Sequence, residues 1–405
     1  MKRTLSGKAV FTLYCLVQIL YWAGGCVAIG FAAAFLGELG FSNAVIGLVV
    51  SVSSVAGFAL MLSVSARIDA RGGRTLFRSF DAAALMLTVL LLAVFLVRKP
   101  TAVTALCYIA YMASTHLLGS LVTKLYIDLR KVGYAINFGV ARGLGSLAYA
   151  LCSLQAGWAS ARRPGSFYQF VALGCFLLVL LISFVLRGLP PLHRLAGEAR
   201  EAPPSAAHAI GFLRRDGLFL ALVIGVALVS ATNKTTSSFL VNIVEDIGGD
   251  RKAFGLVNGY LALVEVPMIL LYSRIRKRFS ASSLLLISMV FFSLKTAAYT
   301  FIRSVPLLLL ASTLQAFSVG LYQPSSVDFV VEKLPHEHTA TGQSCLNGMP
   351  LLFSFVTTVV FGFLLDRFPV SACMAALLLC SLAGTFVCAL AIRRMERGAD
   401  GTASD

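Results

Sequence analysis

The sequence predicts an all-α membrane protein of twelve transmembrane helices, arranged as two six-helix pseudo-repeats. Three observations carry this reading. The 405 residues are 58% hydrophobic and only 13% charged, with a mean hydropathy of +0.85, whereas soluble domains carry about 25% charged residues. Twelve apolar stretches follow one another along the chain, each near the ~20 residues a helix needs to cross a bilayer. A charged, proline-rich segment at 188–216 divides them six and six.

The first six spans fall at about 9–36, 44–64, 78–97, 103–128, 134–159 and 166–187. The second six fall at about 217–244, 253–274, 281–303, 305–330, 341–366 and 369–392. The first follows Lys2, Arg3 and Lys8 and has full spanning length, so it is expected to stay in the membrane rather than be cleaved as a leader. The loop after the second span holds Arg67, Arg71, Arg74 and Arg78; the loop after the eighth holds Arg274, Arg276, Lys277 and Arg278. If each stretch crosses once, these clusters share one side. Of the 34 Lys and Arg, 22 fall on that side, 8 on the other and 4 within spans. By the positive-inside rule that side is the cytoplasm, with both termini on it. The formal charge of +16 is thus a topology signal, and no nucleic-acid partner is expected.

The domains expected are an N-terminal bundle at 1–187, a cytoplasmic linker at 188–216, and a C-terminal bundle at 217–405 with a short cytoplasmic tail. The linker contains Pro190, Pro191, Pro203 and Pro204 among charged residues. The halves echo each other. Ile46-Gly47-Leu48-Val49 opens the second span and Phe254-Gly255-Leu256-Val257 opens the eighth, an offset of 208 residues (255 − 47). Two repeats joined by a linker are a common transporter architecture. The nine cysteines lie in apolar segments without metal spacing and read as small core residues. No cofactor or metal is expected; His336 and His338 flank Glu337 but lack further ligands.

Five ionisable residues fall well inside spans: Lys124, Arg142, Lys234, Glu265 and Lys295. Such groups are expensive in a membrane and face a water-filled cavity or a partner. Arg142 sits in Asn137–Tyr149, flanked by Gly139, Gly143 and Gly145, and the Gly139/Gly143 step suggests a close helix contact. Asp128 lies one turn from Lys124 and could pair with it. Lys234 lies in the polar run 231–238, and both it and Glu265 sit roughly 15–18 Å from the outer helix ends at ~1.5 Å per residue. An ion pair between them is expected to gate or couple transport, with Glu265 as the proton-carrying carboxylate. Four cations against one acid leave a net +3, or +2 if Asp128 reaches Lys124. An anionic substrate would supply the missing counter-charge, and carboxylate suits the arginine fork. Asn258, Gln315, Thr235 and Thr236 could orient the rest of it. Tyr14, Tyr21, Trp22 and Tyr149 could stack on a ligand but read mostly as packing residues, and His116 reads as a buried structural histidine.

Phe138-Gly139 and Ala141-Arg142, with Gly145-Ser146 beyond, resemble the fifth helix of the sugar– and nucleoside–proton symporters of the major facilitator superfamily and of the related phenylpropionate-type transporters. The resemblance implies that Arg142 binds substrate, as the matching arginine does in lactose permease-like proteins. The loop 66–74 resembles the superfamily's loop motif: Asp69 and Arg74 match, while Ser65 and Ala66 stand where its leading glycine falls. Glu265-Val266-Pro267 resembles an eighth-helix step of these transporters. Lys295 stands where their ninth helix carries arginine, keeping the charge but losing the bidentate fork. Two departures matter. Lys124 stands where they carry an acid, and Gln315 and Ser318 replace the histidine and carboxylate of the lactose permease-type proton relay. What the resemblance implies is a monomeric secondary active transporter of the cell membrane, working by alternating access and coupled to protons. The alternatives are a neutral sugar or nucleoside symporter and a non-transporting sensor. An enzyme is not expected, since the buried charges cluster at mid-depth rather than in a catalytic group near a membrane surface.

Overall fold

The computed structural model describes residues 6–71, 73–97, 99–162, 167–187, 216–335 and 338–401. Apart from Asp216, the linker at 188–216 lies outside the described residues, as does His336. Among the described residues every regular element is helical. In the first half these are α1 (Gly7–Gly25), a π-helical turn (Cys26–Gly30), α2 (Ala32–Glu38), α3 (Asn43–Arg71), α4 (Gly73–Val97), α5 (Ala102–Lys131), α6 (Phe138–Arg162) and α7 (Phe167–Arg187). In the second they are α8 (Gly217–Ser238), α9 (Leu240–Asp246), α10 (Arg251–Ile275), α11 (Ala281–Phe301), α12 (Val305–Ser312), α13 (Leu314–Lys333), α14 (Thr339–Leu365) and α15 (Val370–Gly401). Several starts are set by short polar side chains that accept an otherwise orphaned amide. Thr101 accepts from Thr104, Asp216 from Phe219 and Ser280 from Ser283.

Among the described residues eleven spans are long and apolar enough to cross a membrane. The twelfth crossing is α6, equally long at 25 residues but diluted by Arg142, glycines and serines. Three spans that read as continuous in the sequence are broken. The first gives way to the π-turn and α2, the seventh breaks at Phe239 before α9, and the tenth breaks at Thr313. The breaks reinforce the repeat: α2 and α9 begin 208 residues apart (240 − 32), the offset of Gly47 and Gly255. Each is followed by a glycine in the left-handed region, Gly40 at φ 91° and Gly248 at φ 80°, a conformation that residues with a Cβ rarely adopt.

By internal contacts the chain forms two units, 1–202 with 250–262, and 203–249 with 263–405. In the first, α1 packs on α6 and α7, α3 on α5, and α4 on α5 and α7. In the second, α8 packs on α14 and α15, and α11 on α13 and α15. Thus in both halves the first span meets the fifth and sixth, and the third meets the fourth and sixth. With lipid outside, helix association relies on close fit and interhelical hydrogen bonds. In the second unit a core of Phe219, Leu222, Val226, Leu285, Met289 and Phe329 is bordered by such bonds. Ser293 meets Ser381 and Thr385, and Thr235 meets Thr357 and Thr358, each at 2.8–2.9 Å.

The close glycine contact lies elsewhere than the sequence suggested. A Cβ at Gly143 would meet nothing within 4 Å, and one at Gly139 only Asn137 Oδ1 at 3.5 Å. Further along α6, a Cβ at Gly157 would fall 2.8 Å from Gly255 Cα, and one at Gly259 2.9 Å from the Ala150 carbonyl. These neighbours are backbone and cannot swing aside. Gly157→Leu is therefore expected to lower the melting temperature in detergent, by the roughly 1–3 kcal/mol typical of overpacking. Gly143→Leu should leave it unchanged.

Candidate functional site

In the first unit the site is built around Arg142, on the second turn of α6. Its guanidinium Cζ lies 3.8 Å from the centroid of the Trp22 ring, and Nη1 donates to Ser146 Oγ at 2.6 Å. Trp22 is itself fixed. Its Nε1 donates to Gln18 Oε1 at 3.0 Å, Gln18 Nε2 donates to the Tyr14 hydroxyl at 2.6 Å, and Tyr14 reaches the Val122 carbonyl. Gln18 and Tyr14 are buried. Positions 14, 18 and 22 lie on one face of α1 because the spacing is four. A Cβ at Gly145 would fall 3.1 Å from Trp22 Cγ, so the absent side chain seats the indole. Arg142, Trp22, Gln18, Tyr21, His116, Ser120 and Thr123 help line a cavity of about 290 Å³, and none of the residues lining it is a carboxylate.

In the second unit the charges form a different group from the one expected. Lys295 is 2% exposed on α11. Its ammonium donates to Gln315 Oε1 at 2.5 Å and to Asn233 Oδ1. Gln315 Nε2 donates in turn to Glu265 Oε1 at 2.7 Å. The Gln315 amide thus bridges a cation and an acid, accepting at one end and donating at the other, and Glu265 lies in electrostatic reach of Lys295. The expected Lys234–Glu265 pair is corrected: among the described residues the Lys234 ammonium has no carboxylate or hydrogen-bond partner. Asn233, its chain neighbour, is the α8 residue that enters the group. α8 and α10 are adjacent in sequence, but α11 and α13 supply the contacts through Lys295 and Gln315.

The remaining sites separate from these two. Lys124 Nζ lies 3.2 Å from Asp128 Oδ1, one turn along α5. Asn258 faces α6, donating to Ser153 Oγ at 3.0 Å and to the Tyr149 hydroxyl at 3.3 Å. Asp69 and Arg74 lie at the facing ends of α3 and α4, and their side chains lie outside the described residues. Two charged clusters at span ends went unnoticed in the sequence. In one, Asp81 pairs with Arg187 and accepts from Ser183. In the other, Asp328 accepts from Tyr272 at 2.7 Å and meets Arg276, which also meets Glu332. Among the described residues no three His, Cys, Asp or Glu side chains form a group suited to a metal ion.

Two repeated six-helix halves, with ionisable groups held at mid-span, define a multi-pass membrane protein of the major facilitator class. The sequence model of the MFS_1-like family matches residues 80–355, and the chain belongs to that family. It is 24% identical over 260 residues to the maltose permease of Geobacillus stearothermophilus, a match spanning 64% of each chain. It is 26% identical over 158 residues to a major facilitator superfamily domain-containing protein 6-like protein A of Xenopus laevis, covering 39% of this chain and 25% of that one. Its fold superimposes on the nucleoside transporter NupG with a TM-score of 0.75, at 15% identity over 95% of this chain and 98% of that one. It also superimposes on the human organic anion transporter MFSD10 with a TM-score of 0.60, at 17% identity over 95% of this chain and all of that one.

Proposed function

We propose that the chain is a secondary active transporter that moves a small organic anion by alternating access, coupled to protons. The observation that carries this is the Arg142 guanidinium, ordered by Trp22 and Ser146 and lining a cavity of about 290 Å³. The pairing of Lys124 with Asp128 reduces the cationic excess to +2; the sign is unchanged. MFSD10, which shares the fold, is an organic anion transporter, in keeping with the reading.

Glu265 is the coupling group in this proposal. Ionised, it balances Lys295 through the Gln315 amide. Protonated, it no longer supplies that charge, and its hydroxyl becomes a donor. Gln315 on α13 donates to it and Lys295 on α11 lies within its electrostatic reach, so protonation leaves the Lys295 cation uncompensated and favours an incoming anion. Proton and anion then move together. The protein acts as a monomer in the cell membrane with its basic loops in the cytoplasm. A cysteine at exposed Lys277 should therefore resist an impermeant thiol reagent applied to intact cells; rapid labelling would reverse the topology.

A neutral sugar or nucleoside is the second reading. The names of maltose permease and NupG favour it, as do the neutral Gln18, Ser120 and Thr123 beside Arg142. Thermal-shift measurements with carboxylic acids and their own amides separate the two, since a ligand that binds the folded state raises its apparent stability. The acids should raise the melting temperature and the amides should not. Equal shifts from acid and amide would remove the anion reading.

A further inference from the structure

Arg142 is held by a feature that its charge alone does not require. Its guanidinium lies against the Trp22 ring at 3.8 Å, the indole N–H is tied to buried Gln18, Gln18 is tied to Tyr14, and the ring rests where Gly145 leaves room. All of these groups belong to the first unit, and Gln18, Trp22 and Arg142 line the same cavity. A planar cation stacked on an indole is attracted by the ring and loses freedom to swing about its long stem.

We propose that Trp22 is a positioning residue for the anion site: fixed by Gln18 and seated by Gly145, it holds the Arg142 guanidinium so that it presents its N–H groups to the cavity. Trp22 is the plate; Gln18 sets its rotation and Gly145 its depth. This rests on the reading of Arg142 as the anion-binding group. It explains why a tryptophan at an interior position has its one polar atom bonded to a buried amide. It also makes Gln18 and Gly145, which carry no charge, determinants of anion affinity. Arg142→Lys should not substitute, because an ammonium has neither the flat face nor the fork.

The chain has two tryptophans. The other, Trp158, is half exposed and lies beneath Arg162. Trp158→Phe therefore leaves Trp22 as the sole indole emitter. The full-length protein in detergent is titrated with iodide, an anionic quencher, and separately with acrylamide, a neutral one. Iodide should quench Trp22 about threefold more efficiently with Arg142 present than in Arg142→Gln, the scale of an exposed cation–π contact. Acrylamide should quench both alike. Gln18→Leu and Gly145→Ala, each with Arg142 intact, should lower iodide quenching toward the Arg142→Gln value. If Gly145→Ala does not fold, Gln18→Leu decides. Iodide quenching indifferent to Arg142, or unchanged in a folded Gln18→Leu protein, overturns the proposal. Acids and amides that shift the melting temperature equally would instead remove the anionic substrate and leave the quenching result standing.

Discussion

Arg142→Gln is expected to weaken binding of a carboxylate substrate by about 100-fold or more. Truncating one partner of a buried, hydrogen-bonded charge pair costs about 2–5 kcal/mol, and each 1.4 kcal/mol is tenfold. The reason for the upper part of that range is geometric. Arg142 reaches the cavity already ordered by Trp22 and Ser146, so the wild-type protein spends little freedom on the contact. In the variant the bound anion would face only neutral dipoles among the residues lining that cavity. Arg142→Lys should recover a minor part of the affinity. Isothermal titration with the acid that gives the largest thermal shift measures both effects.

The second large effect is on stability. Glu265→Leu or Lys295→Met alone should destabilise the protein more than the two together. Breaking a buried pair from one side costs about 3–5 kcal/mol, whereas replacing both members by apolar groups is often near neutral. Lys295 is the more sensitive partner, being almost fully buried. Without Glu265 its ammonium keeps the neutral oxygens of Gln315 and Asn233 and the face of the Tyr299 ring, but no counter-charge among the described residues. Gln315→Leu should resemble the single variants, since it removes the acceptor of Lys295 and the donor to Glu265 in one change. Lys234→Met, by contrast, should be neutral or stabilising. Melting curves of the five proteins in one detergent check the set; additive losses from Glu265→Leu and Lys295→Met would dissolve the pair.

The sequence made the architecture legible because bilayer thickness fixes span length and lysine and arginine mark one side. The repeat was legible too, in Gly47 and Gly255, and the structure extends it to α2 and α9 and to Gly40 and Gly248. The breaks in the first, seventh and tenth spans were not legible. Hydropathy counts apolar residues and is blind to a π-turn at Cys26–Gly30 or a helix boundary at Thr313. Among the site residues, the buried ionisable groups announced themselves by their expense in a membrane. Which of them meet did not follow, because partners come from helix order in space. Glu265 and Lys295 are joined by Gln315, which the sequence showed only as a replacement for a relay histidine and a candidate to orient substrate, and from α8 it is Asn233 rather than Lys234 that meets Lys295. Gln18 gave no signal as a lone polar residue on α1; its spacing of four to Tyr14 and Trp22 was the available clue.

The most direct test of the transport reading is flux. Purified protein in proteoliposomes is given an inward proton gradient and the radiolabelled acid identified by thermal shift. Accumulation above the external concentration is predicted, abolished by a protonophore and by Arg142→Gln, with no uptake of the corresponding amide. Uptake of acid and amide at equal rates, or acid accumulation indifferent to the proton gradient, would contradict it.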